Sequence, residues 1–258
     1  MSNIIFAYNN LYDSATITAS SAASGYPVAN LKNQIRSKVW KTAGATAGTA
    51  NLVINHGSAK AVTCLALAGY DWSSAPGTLT FEANATDSWG APSFSQALTW
   101  AANTANGNKA TIFMTFASQS YQYNRLNVVY SPGATPTDWS LGRIFVGTYF
   151  QPTVNYLAER RDTLVDPSLI SQTVGGQKYV DEIEKYRTID FDFLFNGQAQ
   201  WESFMSMLNT VGISRDLFIS FDYTNELNEM TIYGKFTNLP GASITRNRAF
   251  SLTFEESR

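Results

Sequence analysis

Chemistry on a protein needs groups that hold a proton, a metal or a ring, and this sequence is sparing with the first two. His56 is the only histidine and Cys64 the only cysteine. A Ser-His-Asp relay would have no other imidazole to use. A zinc site would have only that His and that Cys as nitrogen and sulfur ligands. Cys64 lies in the apolar run "AVTCLALAGY", which predicts a buried, inert thiol, and a lone cysteine excludes an internal disulfide framework. Neither Gly-x-x-x-x-Gly-Lys-Ser/Thr nor Gly-x-Gly-x-x-Gly occurs, and "GGQKYVD" at Gly175 is too short to cradle a phosphate. An Asp-x-Asp-x-Asp-Gly calcium loop is missing too, which leaves open a site made of backbone carbonyls. Asp190 and Asp192 share one face of a strand, but it is the face opposite a row of phenylalanines, so a solvated surface is the expected role. No cofactor and no catalytic step are expected. A glycosidase with dispersed carboxylates is the remaining enzymatic alternative.

Rings are the richer signal. The chain has 16 Phe, 13 Tyr and 6 Trp in 258 residues. Tyr70, Trp72, Trp89, Tyr121 and Tyr123 fall at or near predicted loops. A flat ring there can stack on a sugar while neighbouring Asn, Asp and Gln bond its hydroxyls. These five are the candidate glycan contacts. The competing expectation is packing, because Trp and Tyr are mostly buried.

The elements that must position them read as strands. Apolar residues make up 44% and charged residues 15%, against a usual charged share near 25%, so a core is easily built and the surface relies on Ser, Thr, Asn and Gln. Net charge is −2, which provides no basic field for nucleic acid. No window of about 18 consecutive apolar residues is available to span a bilayer. The N-terminal "MSNIIFAYNNLYD" lacks the basic start and long apolar run of a secretory signal, so a soluble protein made in the cytoplasm is expected.

Short apolar segments separated by Gly, Pro and Asn turns fill the first 150 or so residues, the pattern of a β-sandwich. "ANLVINHG" and "AVTCLALAGYDW" read as two strands split by His56-Gly57-Ser58. "KATIFMTF" and "YNRLNVVYS" read as two more, and "VANLKNQ" as one helical turn. "RIFVGTYF" closes the series and Pro152 marks the exit. Charge then increases. "RTIDFDFLF" alternates, with Ile189, Phe191, Phe193 and Phe195 on one face. Trp201, Phe204, Met205 and Leu208 fall at helical spacing, and Gly212 follows as a stop. Three further strands complete a β–α–β–β–β order. The expectation is mainly β: a jelly-roll-like sandwich over 1–152 and a β-sandwich with one α-helix over 153–258.

Two resemblances add to this. Tyr26, Pro27, Asn30, Leu31, Ser37, Trp40 and Gly57 resemble the discoidin-like (coagulation factor 5/8 C-type) jelly-roll pattern, which implies a carbohydrate-module-like first domain. From Leu141 onward the chain looks like tail-tip proteins of long-tailed, non-contractile phages and prophages. The marks are Gly142-Arg143, Gly147, Pro152, Asp166-Pro167-Ser168, Gly175-Gly176, Gly212 and Tyr233-Gly234. That resemblance implies a tail-tube-like or distal-tail-like second domain and a structural virion protein at the tail tip. Its partners would be copies of itself in a trimer or hexamer, other tail proteins, and a host surface glycan on the first domain. On this reading Ile189, Phe191, Phe193 and Phe195 would form the oligomer interface; the competing expectation is that the phenylalanines fill the domain core under the Trp201 helix. A stand-alone carbohydrate-binding protein is the alternative.

Overall fold

The computed structural model describes residues 3–43, 49–70, 77–99, 111–129, 140–157, 159–195, 197–222, 230–239 and 248–257. The fold is mainly β, with one α-helix among the described residues. In chain order the strands of the first half are β1 (Ile5–Asn10), β2 (Thr16–Ala19), β3 (Trp40–Lys41), β4 (Thr49–Ala68), β5 (Thr78–Asn84), β6 (Phe94–Ala97), β7 (Thr111–Val129), β8 (Ser140–Leu141) and β9 (Arg143–Phe150). The second half holds β10 (Arg160–Val165), β11 (Leu169–Gln172), β12 (Lys178–Asp181), β13 (Tyr186–Phe195), α1 (Gln198–Val211), β14 (Leu217–Ser220), β15 (Thr231–Phe236) and β16 (Arg248–Glu256). The chain forms two compact units. One comprises residues 1–151 with 218–232, the other 152–217 with 233–258. No helix among the described residues is long and apolar enough to cross a membrane.

The first unit is built on two long strands. Where the sequence suggests a turn at His56-Gly57-Ser58, β4 instead runs unbroken for 20 residues. β7, expected as two strands, runs for 19. They pair from Thr49↔Val129 to Ala68↔Thr111, with irregularities between Asn55 and Lys60 and between Val62 and Cys64. Extra residues of this kind bend a strand rather than end it. Gly57 sits in the first irregularity at φ 74°, a conformation a Cβ would oppose. The bend lets each strand serve twice. The first part of β4 pairs with β2, and its last part with β9. Leu52 and Ile54 before the bend, Leu65 and Leu67 after it, Leu126 and Val128 of β7, and Ile144 and Val146 of β9 then meet in one core. That is a sandwich made by folding two ribbons over.

"RIFVGTYF" is β9, held between β1 and β4. Arg143 to Gly147 are all buried, which explains the run without polar alternation. Asn10 extends the β1–β9 seam: its Nδ2 donates to the Ile144 carbonyl (2.8 Å) and its Oδ1 accepts from the Val146 N–H (3.0 Å). The "YPVANL" turn is a 3-10 helix from Val28 to Lys32. It places Leu31 in the core beside Trp40, whose indole N–H donates to the Ser21 carbonyl.

The second unit packs β13 against β10 and β16. The phenylalanine row is not a surface. Ile189, Phe191, Phe193 and Phe195 are at most 1% exposed, which corrects their assignment as an oligomer interface. The reason is α1. Phe204 of the helix lies 5.3 Å from Phe193 and from Phe195, ring centre to ring centre, and Phe250 of β16 stacks on both. Such ring clusters add to their area burial. The helix buries Phe204, Met207, Leu208 and Val211, and ends where Gly212 takes φ 58°.

One buried ion is central to the first unit. Arg143 is 3% exposed. Its guanidinium holds both carboxylate oxygens of Asp13 (2.7 and 2.8 Å) and the Leu31 carbonyl (2.9 Å). It joins the 3-10 turn after β1 to the "YPVANL" turn. Asp13 reaches solvent, whereas Arg143 does not. The two partners are therefore unequal. Asp13→Ala leaves a buried cation without its carboxylate, and should cost about 3 kcal/mol. Arg143→Met leaves a carboxylate that water can reach, and should cost less. Urea unfolding of both variants, followed by tryptophan fluorescence, checks the order.

Candidate functional site

The outer face of the first unit carries the candidate site. Along β5, Leu79, Phe81 and Ala83 point inward, so Thr80, Glu82 and Asn84 point out. Along the end of β7, Leu126 and Val128 are inward, so Tyr123, Arg125 and Asn127 are out. Register then aligns them. Glu82, Arg125, Val53 and Thr18 form one cross-strand row, and Asn84, Tyr123, Asn55 and Thr16 the next. Four strands thus present amides, hydroxyls and one ring.

The loop between β5 and β6 lays a second ring on this face. The guanidinium carbon of Arg125 lies 4.6 Å from the centre of the Trp89 ring, a cation–π contact. The Trp89 indole N–H donates to Asp87 Oδ1 at 2.6 Å. Asn84 ties the loop at both ends. Its Oδ1 accepts from the Ala85 N–H and the Ser93 hydroxyl, each 2.9 Å, and its Nδ2 donates to the Ser88 carbonyl at 2.6 Å. Arg125 Nε in turn donates to Glu82 Oε2 at 2.6 Å. The two carboxylates here are thus committed, Glu82 to a guanidinium and Asp87 to an indole. What the face offers a ligand is neutral: the half-exposed rings of Trp89 and Tyr123, side-chain amides and threonine hydroxyls.

At the bend of β4 the same face continues. Asn55 Oδ1 accepts from the Gly57 N–H (2.8 Å) and from Gln122 Nε2 (3.1 Å), and its Nδ2 approaches the Tyr123 hydroxyl at 3.5 Å. His56 Nε2 lies 2.7 Å from Oδ1 of the buried Asn124. Partial burial lowers the affinity of His56 for a proton, the bond to Asn124 opposes this, and Lys60 adds to the lowering. Cys64 is buried, its thiol is pushed far up by that burial, and its Sγ lies 3.5 Å from the Gly147 carbonyl.

The aromatic candidates separate. Trp89 and Tyr123 both belong to the outer face, Trp89 over Arg125 and Tyr123 two residues before Arg125 on β7. Tyr121 lies two residues along β7, opposite Lys60 and half-buried. Tyr70 is 3% exposed and part of the core, so it cannot contact a glycan; its ring fills space beneath the end of β4. Trp72 lies outside the described residues. Missed altogether were Asn55, Glu82, Asn84 and Arg125. Alternation in "NLVIN", "TFEAN" and "YNRLN" points them outward, but only the register makes them neighbours.

A concavity of about 740 Å3 opens in the second unit along β10 and β13. Its walls carry Arg160, Arg161, Asp162, Asp190 and Asp192. Arg160 holds Asp162 through two bonds (2.7 and 2.9 Å) and Asp190 accepts from the Thr253 hydroxyl (2.7 Å). Asp190 and Asp192 have the outward strand position their alternation suggests.

No protein-family model matches the chain, and no curated protein matches it. Among solved structures, it is similar to chitosan-binding module 1 of a chitosanase/glucanase from Paenibacillus sp. IK-5, at 21% identity over 55% of this chain and 100% of that one, with a TM-score of 0.40. It is similar at 17% identity to the family 32 carbohydrate-binding module of NanJ from C. perfringens, solved with galactose, over 55% of this chain and 98% of that one (TM-score 0.40). The lectin domain of lectinolysin, solved with Lewis B antigen, is 15% identical over 54% of this chain and 95% of that one (TM-score 0.40).

The sole histidine gives a clean test of the bend. Its proton affinity is lowered in the folded chain, so the unfolded chain binds the proton more readily. Stability from this group is present above the unfolded pKa, near 6.5, and is lost as pH falls through and below it. An NMR titration of His56 should give a midpoint below that of a free imidazole. Asn124→Ala removes the bond that opposes the shift, and should move the midpoint lower still.

Proposed function

We propose that this chain is a non-catalytic recognition protein whose first unit holds a neutral saccharide on the outer face of β5, β7 and β4. The observation that carries this is that one face holds two half-exposed rings, Trp89 over Arg125 and Tyr123 beside Asn84, together with Asn55 and a fixed loop. Rings meet the C–H faces of a sugar while amides and hydroxyls take its hydroxyl groups. A ligand site of this kind gains from parts held rigid before binding, and Asn84, Asp87 and Arg125 fix the loop in that way. Since Glu82 and Asp87 are both engaged, neither is poised as a general acid or base, and the reading includes no bond cleavage. A glycan array is the test. The chain should retain a discrete set of neutral glycans, and Trp89→Ala should weaken the best of them at least tenfold, about 1.4 kcal/mol. Retention of no glycan, or binding that survives Trp89→Ala and Tyr123→Ala together, contradicts it.

A second reading is favoured by a different observation. A phage tail-tip component, forming a ring or trimer and touching other tail proteins, is supported by the sequence resemblance from Leu141 onward. It is supported also by a ribbon in the second unit whose apolar side chains are exposed. Gold-labelled antibody against this chain should mark the tail tip of induced phage particles. Label elsewhere on the particle, or none, counts against that reading.

A further inference from the structure

Every residue from Leu169 to Lys185 is exposed. This stretch is one antiparallel ribbon, β11 against β12, in register from Leu169↔Asp181 to Gln172↔Lys178. It forms a sheet of its own. Its root is fixed. β10 and β13 pair up to Val165↔Tyr186. Just beyond, Lys185 Nζ meets Asp166 Oδ2 at 3.3 Å, and the Ser168 hydroxyl takes the Ile183 N–H at 3.1 Å. The ribbon therefore continues the β10–β13 pair outward as an arm. From Asp166 to the turn at Thr173 it has eight residues, a reach of about 25 Å at strand spacing.

Such an arm is not stable on its own. A lone two-stranded hairpin in water is marginal at best. This one is also apolar on both sides. Ile170 (70% exposed) faces Val180 (57%) across one face, and Leu169 (64%) and Tyr179 (55%) lie on the other. With Val174 at the tip, the uncovered apolar residues amount to roughly 650 Å2, most of the share of about 800 Å2 that one partner gives to a standard specific interface. A flat surface can cover one face of a ribbon but not both.

We propose that this arm inserts into a second copy of the same chain, against the open edge of its β10. The second unit supplies such a receiver. β10 ends the strand order among the described residues, and Leu164 stands exposed on it. An open edge of this kind is a template for an added strand. The giving and receiving surfaces differ, and the proposed contact is head-to-tail, each copy giving its arm to one neighbour and taking an arm from another rather than exchanging arms in a pair. Head-to-tail contacts close into rings of three or more when the rotation permits. The arm then lies between copies: its backbone pairs edge to edge with the β10 it joins, and the bodies of the copies on either side cover its two faces. This inference goes beyond saccharide binding and is independent of it; it deepens the tail-tip reading by naming the segment that assembles the ring.

The test uses the full chain in solution, with mass measured by light scattering over a hundredfold range of concentration. The chain should form a closed oligomer of at least three copies. A variant with residues 169–181 replaced by Asn-Gly should fall to monomer, a drop of at least about threefold in mass. Ile170→Lys combined with Val180→Lys should do the same with the arm still present. Unchanged tryptophan fluorescence and a single cooperative thermal transition identify these as folded chains. The armless chain keeps its receiving edge, so it should bind one arm of the full chain, and Leu164→Lys in the armless chain should abolish that binding. A full chain that stays monomeric throughout, a dimer that grows no further, or an armless chain that still assembles would each overturn the proposal.

Discussion

The pairing of β4 with β7 is the constraint on which the first unit depends. Two strands of about 20 residues, joined along nearly their whole length, would by themselves make a flat ribbon with one face too many. The irregularities near Asn55–Lys60 and Val62–Cys64 turn that ribbon back on itself. Leu52 and Leu65, 13 positions apart in one strand, then bury against the same core. The bend also brings polar side chains out: Asn55, Gln122 and Tyr123 gather where the ladder is interrupted, because backbone and side-chain groups there must find partners outside the regular pattern. The candidate site and the core are two consequences of one register.

The second unit shows the opposite economy. Its core is small and aromatic, with Phe193, Phe195, Phe204 and Phe250 in mutual contact. Among the described residues, nothing from that core extends along the β11–β12 ribbon, which carries exposed Leu, Ile, Val and Tyr. A monomeric protein seldom leaves such surface uncovered. Recognition and assembly would then belong to separate units of the chain, one using a neutral polar face and the other an apolar arm.

Much of this was legible in the sequence, and the failures share a cause. α1 with its glycine stop was readable because helix periodicity is local. So was the strand carrying Ile189 to Phe195, although its role was not. Alternation says that a face is apolar; only α1 and β16 say that this face is inside. The unbroken course of β4 through Gly57 was missed because a glycine at positive φ marks a turn and a bulge alike. The strands β10, β11 and β12 were hidden because exposed strands have no buried face to write a period. Of the site, Trp89 and Tyr123 were visible as rings near loops. Asn84, Asn55 and Arg125 were invisible, since cross-strand register joins residues some 30 to 70 positions apart in sequence.

The measurement that bears most directly on the recognition account is an assigned nitrogen–proton NMR spectrum of the chain, followed as a retained neutral saccharide is added. The account predicts saturable shifts of the Trp89 indole N–H and of the amides of residues 84–89 and 122–125, with the second unit unmoved. Shifts confined to other parts of the first unit, with the Trp89 indole unmoved at saturation, would contradict it.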